Sequence, residues 1–137
     1  MIVSDLEELQ VMGVLDRGVP NKECIAILVC ETIAMGQFGL MLGIHNQDNM
    51  AQPVFDHLFW FGDGLVYKND WLFVFTGSGK STVNQSSDGK NKIYTVHWGK
   101  GSTVFADSSI VPILFRVDAV DIDLPPQNLP QLGMDVT

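Results

Sequence analysis

Apolar runs of strand length, each cut short by Gly, Pro, Asn or Asp, recur along this chain, and no long segment places apolar residues at the i, i+3, i+4, i+7 spacing that seats a helix on a core. A chain of this kind buries its apolar side chains by stacking sheets. The runs are Leu9 to Leu15, Cys24 to Ile33, Gln37 to His45, Leu58 to Phe61, Trp71 to Thr76, Lys92 to Trp98 and Val111 to Ile122, about seven strands. Nothing between them offers the crossover helix that a parallel sheet requires, so the pattern predicts an all-β, antiparallel sandwich.

Residues of equal parity share a face of a strand, which lets single runs be oriented. In Lys92 to Trp98 the set Tyr94, Val96 and Trp98 reads as the core face, leaving Ile93, Thr95 and His97 outward. Trp71 to Phe75 is apolar at both parities, as in a central strand covered on both sides or one that turns a face to a partner. Arg17-Gly18-Val19-Pro20-Asn21, residues 46–53 and Gly62-Asp63-Gly64 read as turns or loops. Ser4-Asp5-Leu6-Glu7 has the form of a capping box, which predicts one or two turns of N-terminal helix to about Gln10. From Asp123 the chain runs Leu124-Pro125-Pro126-Gln127-Asn128-Leu129-Pro130. Prolines cannot donate to a sheet, so residues 124–137 are expected as an extended tail after a single domain over 1–123.

The net charge of −8 and pI near 4.5 argue against nucleic acid and against anionic membrane surfaces as partners. No stretch approaches the ~18 unbroken apolar residues of a membrane span. The opening residues are acidic where a secretory signal is basic and then apolar, so a cytoplasmic protein is expected. Cys24 and Cys30 lie six apart in one apolar run. On a strand they stand about 20 Å apart, beyond disulfide reach, and read as buried free thiols suited to a reducing compartment.

Gly77-Ser78-Gly79-Lys80-Ser81-Thr82 reads as the end of a phosphate-binding loop. Such a loop needs G-x-x-x-x-G-K-[ST] between a buried strand and a helix, whose N-terminus and backbone N–H groups surround the phosphates. Val74 stands where the first Gly belongs, and the residues after Thr82 have no helical apolar spacing. The six residues are therefore expected to form a polar hairpin loop, with unusual backbone angles at Gly77 and Gly79 and a solvated Lys80.

His45, His57 and His97 invite a metal or acid/base site with Asp48, Asp56 or Asp63, but no two histidines stand at a ligand spacing. Asp118, Asp121 and Asp123 gather in Val117 to Asp123, a run that alternates like a strand and reads as a solvated edge-strand face, without the Gly-bent loop calcium needs. No nucleophile motif is present. No catalytic, cofactor-binding or metal-binding residue is therefore assigned. Among the aromatics, Trp60, Trp71 and Phe73 are the candidate interaction surface.

The order of segments resembles the lamin-tail-like group of immunoglobulin-type β-sandwiches over about residues 9–117. Val14 to Val29 resembles its first two strands, and Gly36-Gln37-Phe38-Gly39-Leu40-Met41-Leu42 the loop and strand that follow. Phe59-Trp60-Phe61-Gly62-Asp63-Gly64-Leu65-Val66-Tyr67-Lys68-Asn69-Asp70-Trp71-Leu72-Phe73-Val74-Phe75-Thr76-Gly77 resembles its aromatic strand, turn, polar pair and strand ending in Thr-Gly-x-Gly. Val96-His97-Trp98-Gly99 and Val104 to Phe115 match its last strands, whereas residues 45–58 are longer than the pattern. The resemblance implies an immunoglobulin-like fold and a non-catalytic binding or scaffolding module, and it transfers no site residues.

The expected function is a protein-interaction or assembly module that self-associates or binds a protein partner. A carbohydrate- or small-ligand-binding sandwich is the alternative, and an enzyme with scattered His and Asp residues comes third. Titration calorimetry with ATP or GTP is expected to show no binding at ~100 μM, far above the affinity of a working nucleotide site. Lys80→Ala is expected to change stability by less than about 0.5 kcal/mol in denaturant melts.

Overall fold

Strand formation follows the apolar runs. The computed structural model describes residues 5–46, 48 and 50–127. Its strands are β1 (Leu9–Leu15), β2 (Cys24–Val29), β3 (Ile33–Ala34), β4 (Phe38–His45), β5 (Ala51–Trp60), β6 (Leu65–Val66), β7 (Trp71–Phe75), β8 (Thr82–Gln85), β9 (Lys92–His97) and β10 (Ile110–Arg116). A five-stranded sheet in the order β1-β2-β7-β9-β8 packs against a three-stranded sheet, β10-β4-β5, and β3 pairs with β6. The shared core joins Ile25, Ile27, Val29, Leu72 and Val74 of the larger sheet to Phe38, Leu40 and Leu42 of the smaller. The fold is all-β and sandwich-like.

Tyr94, Val96 and Trp98 pack on this core, as their parity predicts. Ten strands replace the expected seven because β3 separates from β2 and because β6 and β8 carry too few apolar residues to stand out in the sequence. The expected N-terminal helix is not formed: residues 5–7 have no regular structure and Leu9 and Gln10 already pair with Val29 and Leu28. Ser4 lies outside the described residues. Leu9 is 1% exposed, and its burial in the strand outweighs the few tenths to one kcal/mol that a capped turn contributes. The last strand is also shorter than expected. β10 ends at Arg116 opposite Phe38, where its partner β4 begins, so residues 117–122 have no strand to pair with.

One pair departs from the antiparallel rule. β7 and β9 run parallel, Trp71 opposite Ile93 and Phe75 opposite His97. The return journey is made by β8, which runs back along the sheet edge and then turns as a hairpin into β9. A strand thus does what a crossover helix does in larger folds, and the inference from a missing helix to an antiparallel sheet fails for that reason.

Two buried carboxylates hold the loops at opposite ends of β7. Glu23, 1% exposed, accepts four hydrogen bonds: from Gly18 N at 2.9 Å, Thr76 Oγ1 at 2.8 Å, Val104 N at 2.8 Å and Phe105 N at 2.9 Å. Asp70, 2% exposed, accepts from Tyr67 N at 2.9 Å and Lys92 N at 3.0 Å. Burial alone pushes the Glu23 carboxyl up, but the four donors together outweigh it and hold it below the ordinary glutamate value. The stability that Glu23 contributes is therefore complete above the ordinary carboxylate range and is lost as pH falls through its lowered folded value. Glu23→Gln turns one accepting oxygen into a donor facing donors. It is expected to cost about 2–4 kcal/mol in urea melts at pH 7 and to lessen the fall in stability as pH drops below the ordinary carboxylate range.

Candidate interaction surface

Alternation along the five-stranded sheet sends one set of side chains to the core and the other outward. Opposite Ala26 and Cys24 of β2 stand Phe73 and Phe75 of β7, and opposite Leu28 stands Trp71. Trp71 and Phe73 stack with ring centroids 5.8 Å apart, and Phe75 stacks on His97 at 5.5 Å. Leu15 pairs with Cys24 at the β1 edge, and Met12 sits in a bulge of the same strand; both are 50% exposed. No charged side chain stands on the outward face of these strands. A cleft of about 160 Å³ opens into it between Leu15, Cys24, Phe73 and Phe75, with Asp16 and Lys22 from the β1–β2 turn at its rim.

The opposite outward face, on the three-stranded sheet, is covered along β4 but leaves Leu58 of β5 60% exposed. Phe115 lies across Gly39, where a Cβ would come within 2.6 Å of its ring, and Ile113 lies across Gly43 in the same way. Glycine at both positions makes room for these side chains to cover the strand between them. Trp60, 46% exposed, stands beside Gly39 on this face, at the rim of a 360 Å³ cleft that also takes in Gln37 and residues 117–120. Of the three sequence candidates, Trp71 and Phe73 come together, whereas Trp60 belongs to the other side of the sandwich.

The Gly77 to Thr82 segment runs over the end of β9 from β7 to β8 and enters a strand. It is neither a hairpin nor a phosphate loop. Gly77 and Gly79 do not take the positive φ expected of them; that conformation occurs at Gly18, Gly62, Gly64, Gly89 and Gly99. Gly79 is required instead by contact, since a side chain there would run into the His97 ring. Val74, at the position of the missing glycine, is fully buried in β7.

The histidines do not gather. His45 ends β4, His57 sits in a bulge of β5 that Asp56 enters at φ 61°, and His97 ends β9. Lys100 Nζ, 5.2 Å from the centre of the Trp98 ring, donates to His57 Nδ1 at 2.6 Å. Among the described residues no three His, Cys, Asp or Glu side chains form a group suited to a metal ion. Asp118 pairs with Arg116, while Asp121 and Asp123 are exposed beyond the last strand and not on an edge-strand face. Sequence reasoning missed Glu23 and Asp70, whose importance lies in distant backbone donors that leave no local spacing to read.

Among the described residues no helix is long and apolar enough to cross a membrane. Compared with protein-family models, with curated proteins and with solved structures, the chain matches none.

Both cysteines are free, but their settings differ. Cys24 is 3% exposed and burial pushes its thiol up to about 12, whereas Cys30 lies just past the end of β2 and is half-buried. The expectation of two equally buried strand thiols holds for Cys24 alone. In the native protein a thiol reagent at pH 8 is expected to label Cys30 first and to leave Cys24 unlabelled until denaturant is added, as read by peptide mass spectrometry.

Proposed function

We propose that this chain is a non-catalytic protein-interaction or assembly module, an immunoglobulin-like sandwich of the lamin-tail-like kind, that docks through the outward face of its five-stranded sheet. The observation that carries the reading is the uncharged aromatic face built by β1, β2, β7 and β9. On a chain with a net charge of −8, a sheet side whose strands carry no charged side chain, with Asp16 and Lys22 only at its rim, is an apolar patch of the sort that marks a docking surface. Trp71, Phe73 and Phe75 project from a central strand, so the aromatic anchors are held rigidly and lose little freedom on binding. The partner is a second copy or another protein. A cytoplasmic setting goes with the reading, because both thiols are free.

The alternative, a carbohydrate- or small-ligand-binding sandwich, draws on Trp60 beside Gln37, an aromatic ring next to an amide at a cleft. That amide is already engaged, donating to Val117 O at 3.1 Å, which leaves the site with little free hydrogen-bonding capacity.

Phe73→Glu puts a charge on the outward face and leaves the core untouched. Sedimentation and pull-down are expected to show at least about a tenfold loss of self-association or partner binding, with a melting temperature within about 5 °C of the wild type. Trp60→Ala is expected to leave that association intact. A glycan screen positive for the wild type and negative for Trp60→Ala, with no protein association, would make the alternative the better account.

A further inference from the structure

Beyond β10 the chain leaves the sandwich. Val117 N makes a last backbone bond to Gln37 O at 2.7 Å, and Arg116 holds Asp118 beside it. The residues that follow alternate: Val120, Ile122 and Leu124 are 71%, 66% and 76% exposed, with the exposed Asp121 and Asp123 between them. Three large apolar side chains at a period of two form the pattern of a strand that buries one face. Among the described residues no strand pairs with this segment. Pro125 and Pro126 have no N–H to donate and so end it. What remains is a stretch from Ala119 to Leu124, about 20 Å when extended.

The two main sheets have four edges: β1, β8, β5 and β10. β1 is flanked by Glu7, Glu8 and Asp16 and is bulged at Met12. β5 holds Pro53 and breaks register before Leu58, and β10 holds Pro112. β8 alone is unbulged and free of proline and acid; its four residues are all exposed. Lys80 precedes it and Lys90 and Lys92 follow, all exposed and none in an ion pair among the described residues. Of the nearby carboxylates, Asp88 already accepts from Ser86 Oγ and Lys90 N, and Asp70 is buried and accepts from Lys92 N. Val83, 57% exposed, stands opposite Tyr94 on the face that leads into the core and offers an apolar seat.

We propose that residues 119–124 of one copy add as a sixth strand to the free β8 edge of a second copy. Val120, Ile122 and Leu124 then cover Val83 and the rim of the core, and Asp121 and Asp123 lie on the opposite face, between Lys80 and Lys90 at the two ends of β8. Main-chain hydrogen bonds supply the attachment, and the charges select β8 over the acid-flanked β1. Donor and acceptor are different surfaces, so a one-way contact is head-to-tail and extends into rings or filaments, whereas reciprocal exchange of tails closes a two-fold dimer. The proposal rests on the interaction-module reading and adds a second contact to it.

The test is sedimentation of the full chain from ~1 to ~100 μM, a range that spans moderate dissociation constants. The wild type is expected to self-associate as concentration rises, to a tail-exchanged dimer or beyond. Ile122→Pro, the pair Asp121→Lys and Asp123→Lys, and the pair Lys80→Glu and Lys90→Glu should each weaken assembly about tenfold or more, with circular dichroism melts showing the body still folded. An equimolar mixture of the two charge-reversed proteins should associate again, because each tail then meets an edge of opposite charge. Assembly unchanged by Ile122→Pro but lost in Phe73→Glu overturns strand addition and leaves the sheet-face reading standing. Charge-reversed proteins that remain apart when mixed overturn the assignment of the edge to β8. A wild type that stays monomeric throughout overturns strand addition, and if it also captures no partner in the Phe73 pull-down the interaction-module reading falls with it.

Discussion

The carboxylate of Glu23 joins three parts of the chain that are far apart in sequence. Its four donors come from the β1–β2 turn, from the residue after β7 and from the loop that leads to β10. Gly18 is part of the device: its φ of 75° turns its N–H toward the carboxylate, and a side chain there would press on Ala106. A buried charge is tolerated only when its hydrogen-bonding capacity is filled, and here the filling fixes the end of the sandwich. Thr76, held by Glu23 through side chain and backbone, in turn accepts from Lys100 N at 2.7 Å. Asp70 does comparable work at the other end of β7, where it ties the turn before that strand to the start of β9.

A β7 pinned at both ends becomes the centre of the five-stranded sheet, and the parallel pair follows from that. The chain leaves Thr76, passes over the end of β9, runs back as β8 and returns beside β7. The passage is tight enough that His97 lies directly under Gly79, with its Nδ1 buried and unpartnered. Glycine serves there for close approach and not for an unusual φ, which is why a glycine-rich loop next to a lysine imitates a phosphate site without its helix.

The two outward faces of the sandwich carry similar compositions and differ in use. On the three-stranded sheet, Phe115 and Ile113 fold down over glycines and cover the strand between them. On the five-stranded sheet, Trp71 stacks on Phe73 and Phe75 on His97, and the rings stay half-buried. The first face is covered in this way only along β4, while Leu58 and Trp60 of β5 stay 60% and 46% exposed. The second, together with the alternating segment after β10 and the bare β8 edge, is the kind of surface a protein uses when its function lies in contact with other chains.

How much of this was legible depends on whether the signal was local. Apolar runs and turn residues determined the all-β class, the bounds of β1, the run that became β2, and the inward side of Tyr94, Val96 and Trp98, because strand parity is a property of neighbouring residues. The double-sided apolar pattern of Trp71 to Phe75 also marked, in the sequence itself, the strand that carries the candidate surface. Other features were decided by the tertiary structure. Leu9 and Gln10 join β1 although a capping box precedes them, and β10 stops where β4 begins. Trp60 parts from Trp71 and Phe73 because sheet pairing sends them to opposite sides of the sandwich, while Glu23 gains its role from amides more than eighty positions away. Sequence spacing reports only what lies within a few residues, and long-range pairing determines which side chains meet.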